Sequence, residues 1–448
     1  MKVVFLRGVF VALLFAALAV YAQEYRIELK TDKADALYQQ NEPIVFSALV
    51  LADGKAVNGM KVDYLLRGDG NLTEKGSYVS SETAYEVKTS LGFPGWVQIR
   101  FSLFNADGTP VKTLNYRKQE VNLMAEIGAM VDPLKIQAAG EEPADFDAFW
   151  AAARAELDAV PLQAKKESSA VPEAYAGKLD CWDVKVDCAG GMPVSGYLVV
   201  PVGAAEKSLP AIVSYHGAGV RSANKPFGYA ARGAIALDVN AHGIENGQPA
   251  EFYTQLSLNE LKNYPHRDKE DPAKFYFRGM YLRVMRALDY VKSLPEWDGK
   301  NLIVTGGSQG GAQAIVAAGL DRQVTLCIAG VPALSEHSGP LAKPQRQAGW
   351  PRLYKADANG LPENPAVCKT AAYFDNIYFA KRIKAEAWFS TGFVDNTCVP
   401  TGVFAAFNNL PAGIVKEITT TPAGNHGAPN SKGNARLDLF FKNLKTKQ

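Results

Sequence analysis

A short apolar segment, a serine flanked by glycines and a run of small apolar residues follow one another at residues 301–318. The first part, NLIVT, has the composition of a buried strand, and the last, AQAIVAA, that of a closely packed helix. The GGSQGG stretch between them must turn the chain sharply, and its glycines lack the Cβ atoms that would clash where strand and helix meet. This order predicts a strand–turn–helix unit, which is typical of sheets covered by helices.

Ser308 lies in the middle of this turn. A side chain on such a turn stands exposed above the carboxyl edge of a sheet, and the helix that follows offers free N–H groups to an anion. Ser308 is therefore a candidate nucleophile, and the backbone N–H of Gln309 is a candidate donor to an oxyanion. The motif alone has low specificity, so a turn that does no chemistry is the alternative interpretation.

Apolar strands alternate with helical segments over residues 145–448. Asp145 is predicted to cap a helix over residues 146–157, and the amphipathic stretch 278–293 predicts a helix ahead of the serine turn. Continuous apolar strands separated by helices predict an α/β fold with a mostly parallel, doubly wound sheet. The predicted strands lie at residues 197–200, 211–215, 234–239, 302–304, 324–328 and 387–391.

Residues 23–127 instead carry short alternating strands separated by turn clusters such as Ala-Asp-Gly at residues 52–54. This spacing predicts an immunoglobulin-like β-sandwich domain, and residues 128–144 are predicted to link it to the α/β region. A carbohydrate-binding module and a spacer or docking domain are both compatible with the pattern.

The first 22 residues have the pattern of a secretory signal peptide. Lys2 and Arg7 lie ahead of an apolar run at residues 9–20, and Val20 and Ala22 suit a cleavage site. We expect cleavage after Ala22 and export to the periplasm or the exterior, with no stable membrane insertion afterwards. An uncleaved membrane anchor is the alternative, although the apolar run is short for a span.

Charge and cysteine content give no sign of nucleic acid or metal as a partner. The formal net charge of +2 comes from 48 basic and 46 acidic residues that are well mixed, so nothing in it argues for nucleic acid or an anionic membrane, and we expect no nucleic-acid partner. The five cysteines lack the spacing of a zinc site. Cys181 and Cys188 could close a hairpin in an oxidising compartment, and Cys327 is predicted to be a buried apolar residue.

A serine nucleophile needs a base, and the base needs an orienting carboxylate. The strand at residues 387–391 leads into Asp395, and a strand at residues 416–420 leads into His426. Asp395 and His426 thus follow Ser308 in the order acid, then base, on successive strand ends. The sequence predicts a triad of Ser308, His426 and Asp395 that requires no metal or organic cofactor.

Two further histidines follow earlier strands. His216 begins the loop HGAG after the strand at residues 211–215, where a second oxyanion donor is expected, and we assign that donor to the backbone N–H of Ala218. His216 is expected to support this loop, and His242 is expected to fix a loop or line the rim.

These residues together resemble the acetyl xylan esterase / cephalosporin C deacetylase family. The likeness extends from about residue 145 to the C-terminus and includes the segments FDAFW, SGYLVVP, GGSQGG, GFVD and CVP, with His426. It implies an α/β-hydrolase that removes acetyl groups from oligosaccharides or small esters and that often forms oligomers. It also implies triad roles for Ser308, Asp395 and His426 and oxyanion roles for Gln309 and Ala218.

The chain departs from the family pattern at two loops. Ala218 stands where the family usually has an aromatic residue after His-Gly. The segment NAHG at residues 240–243 stands where the family typically has Arg-Gly-Gln-Gly. Neither departure changes a triad member, and both bear on the acyl group and the sugar.

The sequence thus predicts an exported serine carbohydrate esterase that removes O-acetyl groups from xylan-type glycans through an acyl-enzyme. A feruloyl or glucuronoyl esterase would use the same triad. So would a prolyl-oligopeptidase-like peptidase, although the N-terminal region is too short for a propeller. A glycan-binding protein without catalysis is the alternative outside the enzymes. The segment at residues 247–277 is expected either to cover the site or to form a surface loop or oligomer contact.

Overall fold

The computed structural model describes residues 24–115 and 117–445. The predicted signal peptide at residues 1–22 lies outside the described residues. Within the described ranges, no helix combines the length and apolar character needed to span a bilayer.

The described chain begins with a β-domain. Its strands form two main sheets, one with β1, β3, β4 and β7 and one in the order β2-β11-β8-β5-β6, and a small hairpin of β9 and β10. The strands are β1 (Tyr25–Thr31), β2 (Leu37–Tyr38), β3 (Ile44–Ala52), β4 (Lys55–Ala56), β5 (Lys61–Gly68), β6 (Thr73–Val79), β7 (Tyr85–Thr89), β8 (Gly95–Phe104), β9 (Lys112–Leu114), β10 (Glu120–Asn122) and β11 (Met124–Val131).

The two main sheets of the β-domain share an apolar core that includes the fully buried side chains of Phe46, Trp96 and Phe101. Strand β11 pairs with β8 along its whole length, up to the pair Val131↔Gly95. The domain boundary predicted at residue 127 is therefore placed too early, because residues 128–131 stay paired and buried.

The rest of the chain is built on one nine-stranded sheet with the order β12-β13-β14-β16-β15-β17-β18-β19-β20. Strands β12, β13, β14 and β16 pair antiparallel in succession. From β16 onward, through β15, β17, β18, β19 and β20, neighbouring strands pair parallel. The strands are β12 (Ala164–Ser168), β13 (Leu179–Val186), β14 (Val194–Pro201), β15 (Leu209–Tyr215), β16 (Ile235–Val239), β17 (Trp297–Gly307), β18 (Leu326–Gly330), β19 (Glu386–Gly392) and β20 (Lys416–Thr421).

Helices cover both faces of this sheet, and a separate apolar core lies on each face. They are α1 (Phe146–Asp158), α2 (Phe227–Ala230), α3 (Ala250–Leu258), α4 (Tyr276–Ser293), α5 (Gln309–Leu320), α6 (Pro365–Ala372), α7 (Asn376–Ala380), α8 (Pro400–Asn408) and α9 (Ser431–Lys445). Helices α1, α4, α5, α7 and α8 contribute to one core, and α2 and α9 to the other. The predicted fold class, a mostly parallel, doubly covered sheet preceded by a β-sandwich, is confirmed.

The structure also shows the surroundings of Asp145 and of three cysteines about which the sequence makes predictions. Asp145 precedes α1, but its side chain makes no capping hydrogen bond and instead accepts one from the Tyr373 hydroxyl at 2.6 Å. Cys181 and Cys188 are free thiols, because Cys181 packs into the core on one face of the sheet and Cys188 against the core on the other. Cys327 is fully buried among apolar side chains, as predicted.

Candidate active site

Ser308 lies at the tight connection between β17 and α5. Its backbone has φ 58° and ψ −123°, a conformation that few L-residues adopt and that stores strain at this position. Glycines make the turn possible, because a Cβ at Gly310 would lie 2.0 Å from the Tyr215 carbonyl oxygen and one at Gly306 would lie 2.4 Å from Gly310. The predicted strand–turn–helix unit is thus present, with Ser308 between β17 and α5.

Ser308, His426 and Asp395 form a continuous chain of hydrogen bonds at the carboxyl edge of the sheet. Ser308 Oγ lies 2.9 Å from His426 Nε2, and His426 Nδ1 lies 2.8 Å from Asp395 Oδ2. When the carboxylate accepts the Nδ1–H, Nε2 becomes the acceptor for the serine hydroxyl. The imidazole can then take the hydroxyl proton while Oγ attacks an electrophilic carbon.

Asp395 follows β19 and is fully buried. Its Oδ1 accepts the backbone N–H groups of Thr397 at 2.8 Å and Cys398 at 2.9 Å, so both carboxylate oxygens have donors. His426 follows β20, and its side chain keeps 36% of its surface exposed. The carboxylate is therefore fixed inside the protein, whereas the imidazole reaches the solvent-accessible side where a substrate can enter.

The loop after β15 lies next to the nucleophile. A Cβ at Gly217 would lie 3.6 Å from the Ser308 Cβ, so the backbone of this loop runs alongside the serine. In the part of the chain that the structure describes, the backbone N–H groups of Ala218 and Gln309 have no acceptor. Both N–H groups are thus available to an oxyanion formed beside Ser308.

His216 and His242 support this loop. His216 Nε2 accepts the Ala241 N–H at 3.1 Å, while its Nδ1 lies 2.7 Å from the Gly217 carbonyl oxygen and acts as the donor. His242 Nε2 donates to the Gly219 carbonyl oxygen at 3.2 Å, while its Nδ1 accepts the Tyr276 hydroxyl at 2.6 Å.

Burial lowers the pKa of His216 to about 4 and that of His242 to about 3. Both rings are therefore neutral at physiological pH. A neutral ring can donate through one nitrogen and accept through the other, which is what these loop contacts need.

The segment at residues 247–277 reaches the residue that follows the nucleophile. The Tyr264 hydroxyl donates to Gln309 Oε1 at 2.6 Å, and both side chains are buried. The ring of Tyr264 also packs on His242, with 4.6 Å between ring centroids, and on the half-buried Trp350 at 6.5 Å. The segment therefore contacts the site itself and is more than a surface loop.

Sequence reasoning missed Cys398 and Tyr264. The Cys398 thiol lies beside the Ser308 side chain, and burial, reinforced by the Asp395 carboxylate, raises its pKa well above the ordinary value. Cys398 follows Asp395 closely in the chain, which was the available signal, whereas no local pattern distinguishes Tyr264 from other tyrosines.

Asp395, Cys398 and His426 also form a group of possible metal ligands among the described residues. Their ligand atoms lie within 4.8 Å of one another. Within this group, His426 Nδ1 and Asp395 Oδ2 are already joined by a hydrogen bond of 2.8 Å.

Comparisons with known proteins place the chain in a family. Residues 127–444 match the acetyl xylan esterase (AXE1) family. An acetyl esterase of Xylanibacter ruminicola, Axe7A, is 33% identical over 310 residues, which cover 68% of each chain.

Two solved structures share the fold of about two thirds of the chain. An acetyl xylan esterase from Paenibacillus sp. R4 is 28% identical, with a TM-score of 0.57, and the match covers 69% of this chain and 98% of that one. Acetyl xylan esterase 1 from Thermoanaerobacterium sp. JW/SL YS485 is 23% identical, also with a TM-score of 0.57, over 69% of this chain and 97% of its own. The chain is a carboxylic ester hydrolase with the α/β-hydrolase fold, and it belongs to the acetyl xylan esterase family.

Proposed function

We propose that the protein removes O-acetyl groups from xylan-type oligosaccharides or polysaccharides through an acyl-enzyme on Ser308. The observation that carries the proposal is the unbroken hydrogen-bond chain from Ser308 through His426 to Asp395. The named activities of its relatives, acetyl esterase and acetyl xylan esterase, support the acetyl group and the xylan backbone as the substrate class.

In the first half of the reaction, Ser308 Oγ attacks the acetyl carbonyl carbon and His426 takes the hydroxyl proton. Asp395 holds the ring in the required tautomer and stabilises its positive charge. The backbone N–H groups of Gln309 and Ala218 bind the tetrahedral oxyanion, and the loss of one such donor typically costs about 3 kcal/mol of transition-state stabilisation. His426 then gives the proton to the departing sugar hydroxyl.

In the second half, a water molecule attacks the acetyl-Ser308 ester. His426 now takes a proton from this water and returns one to Ser308 Oγ as acetate leaves. Every proton transfer therefore passes through His426 Nε2, the nitrogen that faces Ser308 Oγ at 2.9 Å.

Hydrolysis of p-nitrophenyl acetate by the purified protein tests the nucleophile. Ser308→Ala is expected to lower kcat by about 10⁴-fold or more, because the triad acts as a unit. Ser81→Ala, at an exposed serine of the β-domain, is the matched control and should keep wild-type activity. Substantial esterase activity in Ser308→Ala would reject the proposed mechanism.

A substrate panel tests the proposed specificity. We expect acetate esters to be hydrolysed faster than butyrate and feruloyl esters, and acetylated xylan fragments faster than acetylated pectin or mannan fragments. A preference for feruloyl esters or peptide amides would overturn the substrate assignment while leaving the serine mechanism in place.

We also infer that the mature protein is exported after cleavage behind Ala22. The support is the charged and apolar pattern of the first 22 residues. Expression of the full chain in a bacterial host, followed by fractionation and N-terminal sequencing, tests this. A mature chain that begins at Gln23 outside the cytoplasm is the expected result, and an uncleaved chain in the membrane fraction would contradict it.

A further inference from the structure

We propose that the β-domain is part of the catalytic unit, because it positions the loops that carry Asp395 and His426, with Trp96 as the main positioning residue. This inference rests on the proposed function of the triad. The acid loop is defined as residues 393–399, which join β19 to α8. The base loop is defined as residues 422–430, which join β20 to α9.

Trp96 makes the most direct of these contacts. It lies in β8, is fully buried, and donates its Nε1–H to the carbonyl oxygen of Phe393 at 2.6 Å. Phe393 precedes Asp395 by two residues, and its N–H donates to the carbonyl oxygen of Thr421 at 3.0 Å. The indole therefore anchors the start of the acid loop against the end of β20.

Strand β11, next to β8, holds the base loop in the same way. The N–H of Gly128 donates to the carbonyl oxygen of Pro422 at 2.9 Å, so the strand bonds to the segment that leads to His426. The two backbones approach so closely that a Cβ at Gly128 would lie 2.3 Å from the Phe393 carbonyl oxygen. Only glycine fits at this position without moving the acid loop.

Two further contacts reach the acid loop and the helix beyond it. The Arg67 guanidinium bridges the Asn396 side-chain oxygen at 2.5 Å and the Gln98 side-chain oxygen at 3.1 Å. Asp69 Oδ2 accepts the Thr401 hydroxyl at 2.9 Å. The β-domain thus contacts residues on both sides of Asp395 in the sequence.

The interface has the character of a domain interior. One continuous apolar core contains Phe101 of the β-domain, Trp96 at the interface, and Phe393 and Phe389 of the α/β region. A spacer or a separate glycan-binding module would be joined by an exposed, mostly polar interface and would move relative to the active site. Here the two parts share their core, which fixes the acid and base loops relative to each other.

Correct placement of the carboxylate matters because triad chemistry depends on sub-ångström geometry. A displacement of about 1 Å in a catalytic group can cost about 10²-fold in rate. Asp395 itself is held by the backbone N–H groups of Thr397 and Cys398, so any shift of the acid loop moves the carboxylate with it.

The test replaces Trp96 by phenylalanine in the full chain. Trp96→Phe keeps an aromatic ring but removes the donor to Phe393, and we expect kcat for p-nitrophenyl acetate to fall by about tenfold or more while KM changes by less than about twofold. Phe46→Leu is the control, because Phe46 is equally buried but lies on the opposite sheet of the β-domain. It should lower the melting temperature while kcat stays near that of the wild type.

Hydrogen exchange of the acid-loop amides provides a second readout that does not depend on activity. Exchange at Thr397 and Cys398 should accelerate in Trp96→Phe and remain unchanged in Phe46→Leu. Arg67→Gln, at a half-buried site, keeps the test decisive if Trp96→Phe does not fold, and it should produce the same changes with smaller amplitude.

The outcomes separate this inference from the proposed function. The inference would be overturned if the wild type is active and the folded variants Trp96→Phe and Arg67→Gln keep its kcat and its exchange rates. The proposed function would then remain intact. A wild type inactive on acetate esters would reject the proposed function, and the exchange data alone would then decide whether the β-domain holds the acid loop.

Discussion

At the residue scale, Asp395 shows how the protein keeps a charge in its interior. The side chain is fully buried, and burial of an unpaired carboxylate is costly. The N–H groups of Thr397 and Cys398 and the Nδ1–H of His426 offset this cost with three hydrogen bonds. The two backbone N–H groups hold Oδ1, which fixes Oδ2 facing His426 Nδ1. The bonds that stabilise the charge therefore also orient the imidazole.

Asp395→Asn tests this arrangement. An amide of the same shape can present an N–H group to His426 Nδ1, which favours the tautomer with the proton on Nε2 and removes the acceptor for the Ser308 hydroxyl. We expect kcat to fall by about 10⁴-fold with little change in the melting temperature. Asp180→Asn, at an exposed position of β13, is the control. Activity of Asp395→Asn within tenfold of the wild type would remove Asp395 from the mechanism.

At the element scale, the segment at residues 247–277 helps to hold the loop after β15 and the start of α5 in place. Tyr264 bonds to the side chain of Gln309, and His242 bonds to the carbonyl oxygen of Gly219. The segment therefore helps to fix both backbone regions proposed to bind the oxyanion.

Tyr264→Phe tests the contact between this segment and Gln309. The ring packing on His242 is kept while the hydroxyl is lost, so we expect kcat to fall by about twofold to tenfold, the equivalent of one hydrogen bond of about 0.5–1.5 kcal/mol. Tyr253→Phe is the control, because Tyr253 lies in the same segment but bonds to Glu245 and Gln248 instead. An equal loss in both variants would show a general loosening of the segment and contradict a direct effect on Gln309.

Elements with a strong local pattern were predictable, and those defined by pairing were less so. The strands ahead of Ser308 and Asp395 have apolar runs, the strand ahead of His426 is rich in β-branched residues, and the structure has them as β17, β19 and β20. The end of the β-domain was misplaced at residue 127, because the pairing of residues 128–131 with β8 has no local signal. The prediction that Asp145 caps α1 was wrong about its side chain for a similar reason. The partner of that side chain, Tyr373, lies 228 residues away and leaves no local signal.

At the scale of the whole molecule, a buried acid lies between the two parts of the protein. Asp69 accepts the backbone N–H of Trp96 and the Thr401 hydroxyl through Oδ2, whereas its Oδ1 has no partner among the described residues. Burial raises the pKa of Asp69 from 3.8 to about 6, although the hydrogen bond from Thr401 opposes the shift. The interface therefore tolerates the protonated side chain better than the ionised one.

Asp69→Asn should make the protein more stable at neutral and alkaline pH. A folded-state pKa above the unfolded value means that the stabilisation is complete below about pH 4 and is lost as the pH rises through about 6. The variant keeps an oxygen for both donors and cannot ionise. We expect its free energy of unfolding to match that of the wild type near pH 4 and to exceed it by up to about 3 kcal/mol at pH 8.

Urea denaturation of both proteins across this pH range measures the difference. The depressed pKa values of His216 and His242 act in the opposite direction, since their contribution is lost as the pH falls, but they are common to both proteins and cancel in the comparison. An Asn variant that is less stable than the wild type at pH 8 would show that ionised Asp69 stabilises the interface.

The amino-acid sequence by itself determined the strand–turn–helix unit at Ser308, the alternation of strands and helices, and the order in which Asp395 and His426 follow. These features have local causes, namely glycines in a tight turn, apolar runs and polar residues at strand ends. Only the tertiary structure decided that Trp96 bonds to Phe393 and Tyr264 to Gln309, across 297 and 45 residues of chain. Such contacts depend on how whole elements pack, and a single buried hydrogen bond between distant residues leaves no periodic pattern in the sequence.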